Sequence, residues 1–205
     1  LKFPQKYSIN YIPNPVDSSF EKLHNYKSKH FNSDVFFAMS HGVHRGVLKK
    51  GKFDKRENMI EKLISKTPNI RFDLYGMKNK QPIWADNFIN AISESKMGLN
   101  LSQGKTVKYY SSDRLSQLIG NGLLVMVDKE TKYMDFFSDD EIIFYKNIND
   151  LSEKIIKFSN DDKLRSRIAK KGRDKYFKYF NSTIVADFII KKTYGFNRKK
   201  FFWEK

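Results

Sequence analysis

From about residue 34 onward, short apolar runs alternate with stretches whose apolar residues recur every three or four positions, the pattern of successive β and α segments. Residues 34–40 (DVFFAMS) read as a strand. Residues 54–66 read as a helix with Met59, Ile60, Leu63 and Ile64 on one stripe, ended by Pro68 and Asn69. A strand is expected at 70–75, closed by Gly76, and a helix at 84–95 leads into a strand at 97–101. A helix at 111–121, a strand at 123–127 and a fifth short strand at 141–145 follow. After them the pattern turns to helix alone, at 149–158, 163–180 and 183–193. Repeated β-α units join parallel strands, so the expected fold class is α/β: a Rossmann-like parallel sheet of about five strands flanked by helices, with a helical C-terminal tail. Ligands of such sheets bind where the strands end, which places the loops after Ser40, Tyr75 and Leu101 on the functional edge.

The segment at 108–128, KYYSSDRLSQLIGNGLLVMVD, has the form of a phosphate site. A helix start leaves four backbone N–H groups without intrahelical partners, and the macrodipole adds partial positive charge there. Ser111, Ser112 and Asp113 are N-cap candidates, with Lys105, Lys108 and Arg114 adding charge around them. Asp113 and Gln117 share a helix face while Leu115, Leu118 and Ile119 point elsewhere, so one face can reach a ligand as the other packs. Gly122 supplies a left-handed position after the helix, and the apolar run that follows suits a strand covered on both sides. An ordinary capped core helix would read the same way.

After Ser40 the sequence is HGVHRGVLKKGK. Gly42 and Gly46 permit close backbone approach, and Arg45, Lys49 and Lys52 supply cationic donors, a set that a diphosphate would use. A solvent-exposed basic turn is the alternative. His41 and His44 lie three apart without a third ligand in reach, so no metal is expected. After Leu101, Ser102, Gln103 and Gly104 form a small polar turn that suits a base or sugar, or a plain connector.

The 205 residues, 40% apolar, suffice for one well-buried domain, and no apolar run is long enough to span a bilayer. Without cysteine there is neither a disulfide nor a thiolate metal site, and with no hydrophobic signal segment at the start a cytoplasmic location is expected. The chain begins at Leu1, and residues 1–17 read as an extended connector, which suggests a piece of a longer protein. A net charge of +16 would suit nucleic acid, anionic lipid or a phosphorylated ligand. The charge is spread along the chain, mostly as Lys, and no zinc-ligand spacing, basic region or helix-turn-helix pattern accompanies it, so nucleic acid is not the expected partner.

YIPNPVD at 11–17, SDRLSQLIGNGLLVMVD at 112–128 and the helical tail from DLSEKIIKF onward occur in the order found in one family. The chain resembles the carboxy-terminal, nucleotide-sugar-binding domain of GT-B fold glycosyltransferases, in particular the group related to spore-maturation and capsule-building glycosyltransferases. The resemblance implies one half of a GT-B fold: an interdomain connector at 1–17, a nucleotide-sugar-binding domain at 18–195 and a basic aromatic tail at 196–205. It implies metal-independent transfer from a nucleotide-diphosphate sugar, with no cofactor beyond that substrate, and an acceptor-binding amino-terminal domain outside this chain.

On this reading Arg45 and Lys49 neutralise the leaving diphosphate, while the amides near Ser111 and Ser112 bind it from below. Gly42, Gly76, Ser102, Tyr110 and Arg114 complete the donor site. Gln117 stands where many relatives carry a glutamate that accepts from the ribose hydroxyls; an amide accepts one hydrogen bond and donates another, without the charge. Tyr109 stands where many retaining relatives carry an earlier glutamate. The tail, FNRKKFFWEK, has aromatics and bases that suit docking on the first domain, an anionic membrane surface at the inner membrane face, or an unordered end. A non-catalytic nucleotide-sugar or nucleic-acid binding module is the alternative function.

Overall fold

The expected parallel sheet is present in the computed structural model, which describes residues 9–40, 54–196 and 200–204. Strands β1 (Ser33–Ala38), β2 (Phe72–Tyr75), β3 (Ser95–Asn100), β4 (Leu124–Asp128) and β5 (Ile143–Tyr145) pair in the order β2-β1-β3-β4-β5, every pairing parallel. Helices α1 (Lys55–Lys66), α2 (Ala85–Ser93) and α3 (Asp113–Gly120) fill the crossovers. Helices α4 (Ile148–Asn160), α5 (Asp162–Tyr179) and α6 (Ser182–Tyr194) follow β5.

The inner runs of β1 and β4, VFFA and LVMV, are continuously apolar because both faces of the sheet are covered there. Val35 and Phe37 of β1, with Leu124 and Met126 of β4, pack on Ile60 and Leu63 of α1 and Leu151 and Ile155 of α4. Phe36, Val125 and Val127 face the other way, onto Ile92 of α2 and Leu115, Leu118 and Ile119 of α3. Local signals start and stop these helices. Asp54 caps α1 in a capping box with Glu57, Ser112 caps α3, and Gly122, at φ +82°, ends α3 in the left-handed conformation expected of it.

β3 begins two residues before the sequence pattern suggests. The pattern places Ser95 at the end of the preceding helix, but that helix ends at Ser93 and Ser95 opens the strand; its hydroxyl meets that of Ser33 on β1 at 2.6 Å and donates to the carbonyl of Ala91 at 3.0 Å, so its polarity is satisfied at full burial. At this N-terminal edge Asp34 lies 3.1 Å from Arg71 and 3.5 Å from Lys96, and Lys96 lies 3.4 Å from Asp162. Burial alone would raise the Asp34 carboxyl, but the Arg71 hydrogen bonds and the charges of Arg71 and Lys96 outweigh it and hold it below the usual carboxylate range.

The connector and the tail are both docked on the domain. Val16 is fully buried and pairs with Asn181; the hydroxyl of Tyr176 donates to the carbonyl of Asn14 at 2.8 Å, and those of Tyr11 and Tyr133 are 2.9 Å apart. In the described residues 200–204 the tail aromatics pack against this domain itself. Trp203 is 2% exposed, with ring contacts to Phe180 at 5.7 Å and Phe188 at 5.4 Å, and Phe202 stacks on Tyr179 at 4.2 Å. The physical reason is an apolar cluster of Phe136, Phe137, Tyr176 and Phe180 beside the sheet, which the tail closes over. Among the described residues no helix is long and apolar enough to cross a membrane.

Candidate functional site

The sheet order puts the crossovers from β1 and from β2 on opposite faces, so the strand order reverses between β1 and β3. A crevice opens outside the carboxyl ends of these two strands. Helix α3 starts at that crevice. The Ser112 hydroxyl accepts from the amide of Leu115 at 3.3 Å and donates to Oδ1 of Asn100, the last residue of β3, at 2.8 Å. The amides of Asp113 and Arg114, in the first turn, have no intrahelical acceptor and stand at the positive end of the helix. Ser111 is used differently, its hydroxyl accepting from the amide of Asn14 at 3.1 Å and holding the connector against the helix start.

Arg114 spans the crevice. Its Nε donates to the carbonyl of Ala38 at the end of β1 (2.7 Å), its Nη1 to the carbonyl of Leu101 just past β3 (3.0 Å), and its guanidinium lies 4.9 Å from the Phe37 ring centre. Burial and the neighbouring Arg56 draw its pKa down to about 10, so it remains charged at neutral pH. It ties the two strand ends together and carries positive charge to the place where they part.

Two hollows flank the end of β3. One, of about 920 Å³, opens between α2 and α3 and is lined by Ser40, Trp84, Asp113, Arg114 and Gln117. The other, of about 400 Å³, lies on the α1 side and is lined by Asn100, Ser102, Lys105, Tyr110 and Arg56. The expected site residues are thus divided: Arg114 and Gln117 share the larger cleft, Ser102 and Tyr110 the smaller, and Ser112 stands at the β3 end between them. Gly76 makes another contribution. At φ +76° it brings the exit of β2 so close to that of β1 that an added Cβ would stand 1.9 Å from the carbonyl oxygen of Met39. Gly42, Arg45 and Lys49 lie outside the described residues.

The sequence reading did not single out Asn100 or Arg56. Asn100 is 3% exposed, and its Nδ2 has no hydrogen-bond partner, which is uncommon for a buried donor. A lone Asn inside the apolar run MGLNL is the signal that could have found it. Arg56 is 9% exposed and forms a two-point pair with Asp54, through Nε at 2.9 Å and Nη2 at 2.8 Å. Tyr109, at φ +57°, donates its hydroxyl to Asp135 at 2.6 Å, a bond that pushes the phenol up to about 12. Among the described residues no group of three or more His, Asp or Glu side chains converges in a way that could hold a metal ion.

The fold has solved counterparts. HepE of Anabaena, solved in complex with UDP and glucose, is 10% identical with a TM-score of 0.60; the alignment covers 80% of this chain and 49% of that one. TarM of S. aureus is 15% identical with a TM-score of 0.55, covering 80% and 36%. Sucrose-phosphate synthase of Thermosynechococcus elongatus is 13% identical with a TM-score of 0.52, covering 89% and 49%. The chain therefore spans between about a third and a half of the length of these proteins. Among curated proteins none matches the chain in sequence. The sequence profile described as "Glycosyl transferase-like" matches residues 55–191, more than half of the chain and every element from α1 to most of α6. With the sheet order and helix placement of a GT-B domain, the chain belongs to this glycosyl transferase-like family.

Proposed function

We propose that the chain is the donor-binding half of a metal-independent glycosyltransferase of hexosyltransferase type, holding a nucleotide-diphosphate sugar at the C-terminal edge of its sheet. The observation that carries the reading is the start of α3 at the crevice between the ends of β1 and β3, where Arg114 and Gln117 share one cleft. HepE complexes with UDP and with UDP-glucose support the choice of ligand class.

In the transfer, the bond between the anomeric carbon and the diphosphate oxygen breaks as the bond to an acceptor hydroxyl forms, and negative charge develops on the leaving diphosphate. Helix amides and guanidinium or ammonium groups stabilise that charge without a metal. In this account the amides of Ser112, Asp113 and Arg114 bind the diphosphate, Arg45 and Lys49 neutralise it, and Gln117 meets the ribose hydroxyls. Tyr109, a protonated phenol bound to Asp135, offers no carboxylate to the sugar. The acceptor, a cell-surface glycan or related molecule, and any general base are assigned to a domain outside this chain, consistent with its covering half or less of its structural counterparts.

Calorimetric titration with UDP, GDP and ADP in the presence of a chelator tests the reading. One nucleoside diphosphate should bind selectively without a divalent cation, and Gln117→Ala and Arg45→Ala should each weaken it. A strict requirement for a divalent cation would refute metal independence. Binding to nucleic acid that falls steeply with salt and ignores nucleoside diphosphates would refute the reading as a whole.

A further inference from the structure

Asn100, at the end of β3, carries an amide whose orientation is fixed from one side. The Ser112 hydroxyl accepts from the amide of Leu115 and gives its one proton to Asn100, so the atom it meets is the acceptor Oδ1. Nδ2 therefore points away from the helix cap, and there it has no partner, although the residue is 3% exposed. Folded proteins keep few donors unbonded at that depth. Asn100 lines the smaller hollow, of about 400 Å³, on the α1 side of the sheet edge. Among the described residues that line it, Lys55, Arg56 and Lys105 set three cations against one carboxylate, Asp128. That carboxylate is already used, accepting from the Thr106 hydroxyl at 3.2 Å and the Glu130 amide at 2.9 Å. The pair of Arg56 with Asp54 uses Nε and Nη2 and leaves Nη1 outside it. Arg56 also stands close enough to Arg114 for the two charges to repel, which an anion beside them relieves.

The two hollows lie on either side of the β3 end, with the Ser112 cap of α3 between them. In the donor-binding reading the ribose meets Gln117 in the larger cleft and the diphosphate rests on the first amides of α3. The sugar beyond the diphosphate then enters the smaller hollow. A neutral sugar could give Asn100 a hydroxyl to bond, but it would leave the excess positive charge unanswered. A carboxylate on the sugar answers both, one oxygen accepting from Nδ2 and the other facing a guanidinium. We propose that the donor carries a hexuronic acid, its carboxylate held in the smaller hollow by Asn100 and Arg56 with Lys105 at the rim; this rests on the donor-binding reading above. The carboxylate takes no part in bond making. The bond from the anomeric carbon to the diphosphate breaks and the bond to the acceptor hydroxyl forms as before, and Asn100 and Arg56 determine which sugar is taken.

The test titrates the chain with the nucleoside diphosphate it selects and with the hexose and hexuronate conjugates of that nucleotide: UDP-glucose against UDP-glucuronic acid, GDP-mannose against GDP-mannuronic acid, or ADP-glucose against ADP-glucuronic acid. The hexuronate should bind about 10- to 100-fold tighter than the hexose, the worth of a hydrogen bond to a charged group. Asn100→Asp keeps the acceptor that holds Ser112 and replaces Nδ2 by an anionic oxygen. The ratio of hexuronate to hexose affinity should then fall to one or below, a readout in which any effect of the new charge on the diphosphate cancels. Lys105→Gln, at an exposed side chain, should lower the same ratio about 2- to 5-fold with melting unchanged, and it carries the test if Asn100→Asp does not fold. Equal affinity for hexose and hexuronate in the wild type, beside measurable binding of the free diphosphate, would overturn this proposal and leave the donor reading intact. A hexuronate preference that the folded variants retain in full would overturn it as well. Failure of the wild type to bind free UDP, GDP or ADP or any of these conjugates at millimolar concentration would overturn both.

Discussion

Gly76→Ala separates two explanations of the glycine at the exit of β2. If Gly76 serves only to let a ligand approach the backbone, the substitution should reduce binding and leave stability alone. The geometry argues instead for packing. At φ +76° an alanine is in left-handed space, which costs about 1–2 kcal/mol. Its Cβ would also stand 1.9 Å from the carbonyl oxygen of Met39, a backbone atom that cannot rotate away. Relieving the overlap requires the exits of β1 and β2 to separate, at about 1–3 kcal/mol more. The sum, about 2–5 kcal/mol, corresponds to a fall of about 4–20 °C in Tm for a domain of this size. Gly104→Ala is the internal control, since Gly104 has φ +82° with nothing within 4 Å of the added Cβ. It carries the conformational cost alone, about 2–8 °C. Thermal unfolding of the two variants beside the wild type reads the difference directly. Because Met39 and Ser40 line the larger cleft, nucleotide affinity should fall with stability in Gly76→Ala. Equal melting of Gly76→Ala and Gly104→Ala would refute the packing argument.

Trp203→Ala should lower stability by about 2–4 kcal/mol, less than a full core truncation because the unpartnered indole N–H is relieved as well, and should expose the tail to protease; unchanged melting and digestion would show that the tail does not close the aromatic cluster. Arg114→Lys should lose the two-ended tie between Ala38 and Leu101, since an ammonium lacks the planar fork, and should cost about 1–3 kcal/mol in denaturant unfolding; full stability would mean that the strand ends need no tie. The Asp34 carboxyl has a folded-state pKa below its unfolded value, so its contribution is complete above the unfolded value near about 4 and fades as pH falls through the folded one. The stability gap between wild type and Asp34→Asn, measured by unfolding as a function of pH, should therefore narrow as pH falls below the unfolded value, and a gap that stays constant or widens on acidification would contradict the assignment.

Reading the sequence succeeded where the determining interactions are local. Ser112 before Asp113 and Gly122 after Asn121 mark helix ends within a few residues of themselves. The alternation of apolar runs and helical stripes carried the sheet, because each strand of a doubly covered sheet must be apolar on both faces. What was not legible depends on distant partners. The side chain of Arg114 was read as reaching for an anion, whereas two of its donors go to Ala38, 76 residues away, and to Leu101. Trp203 and Phe202 sit in a basic tail that looks solvated, and only the folded neighbours Phe180, Phe188 and Tyr179 reveal where they go. Asn100 was overlooked because a strand end looks the same in sequence whether or not a helix cap meets it.

The central claim is that a nucleoside diphosphate binds at the start of α3, in the crevice between β1 and β3. Amide-resolved NMR of the chain during titration with UDP, GDP and ADP tests it most directly, because it detects weak binding and locates it. The account predicts saturable shifts for one nucleotide at the amides of Ser112, Asp113, Arg114 and Gln117. Shifts that bypass α3, or that centre on the opposite edge around Asp34 and Lys96, would contradict it.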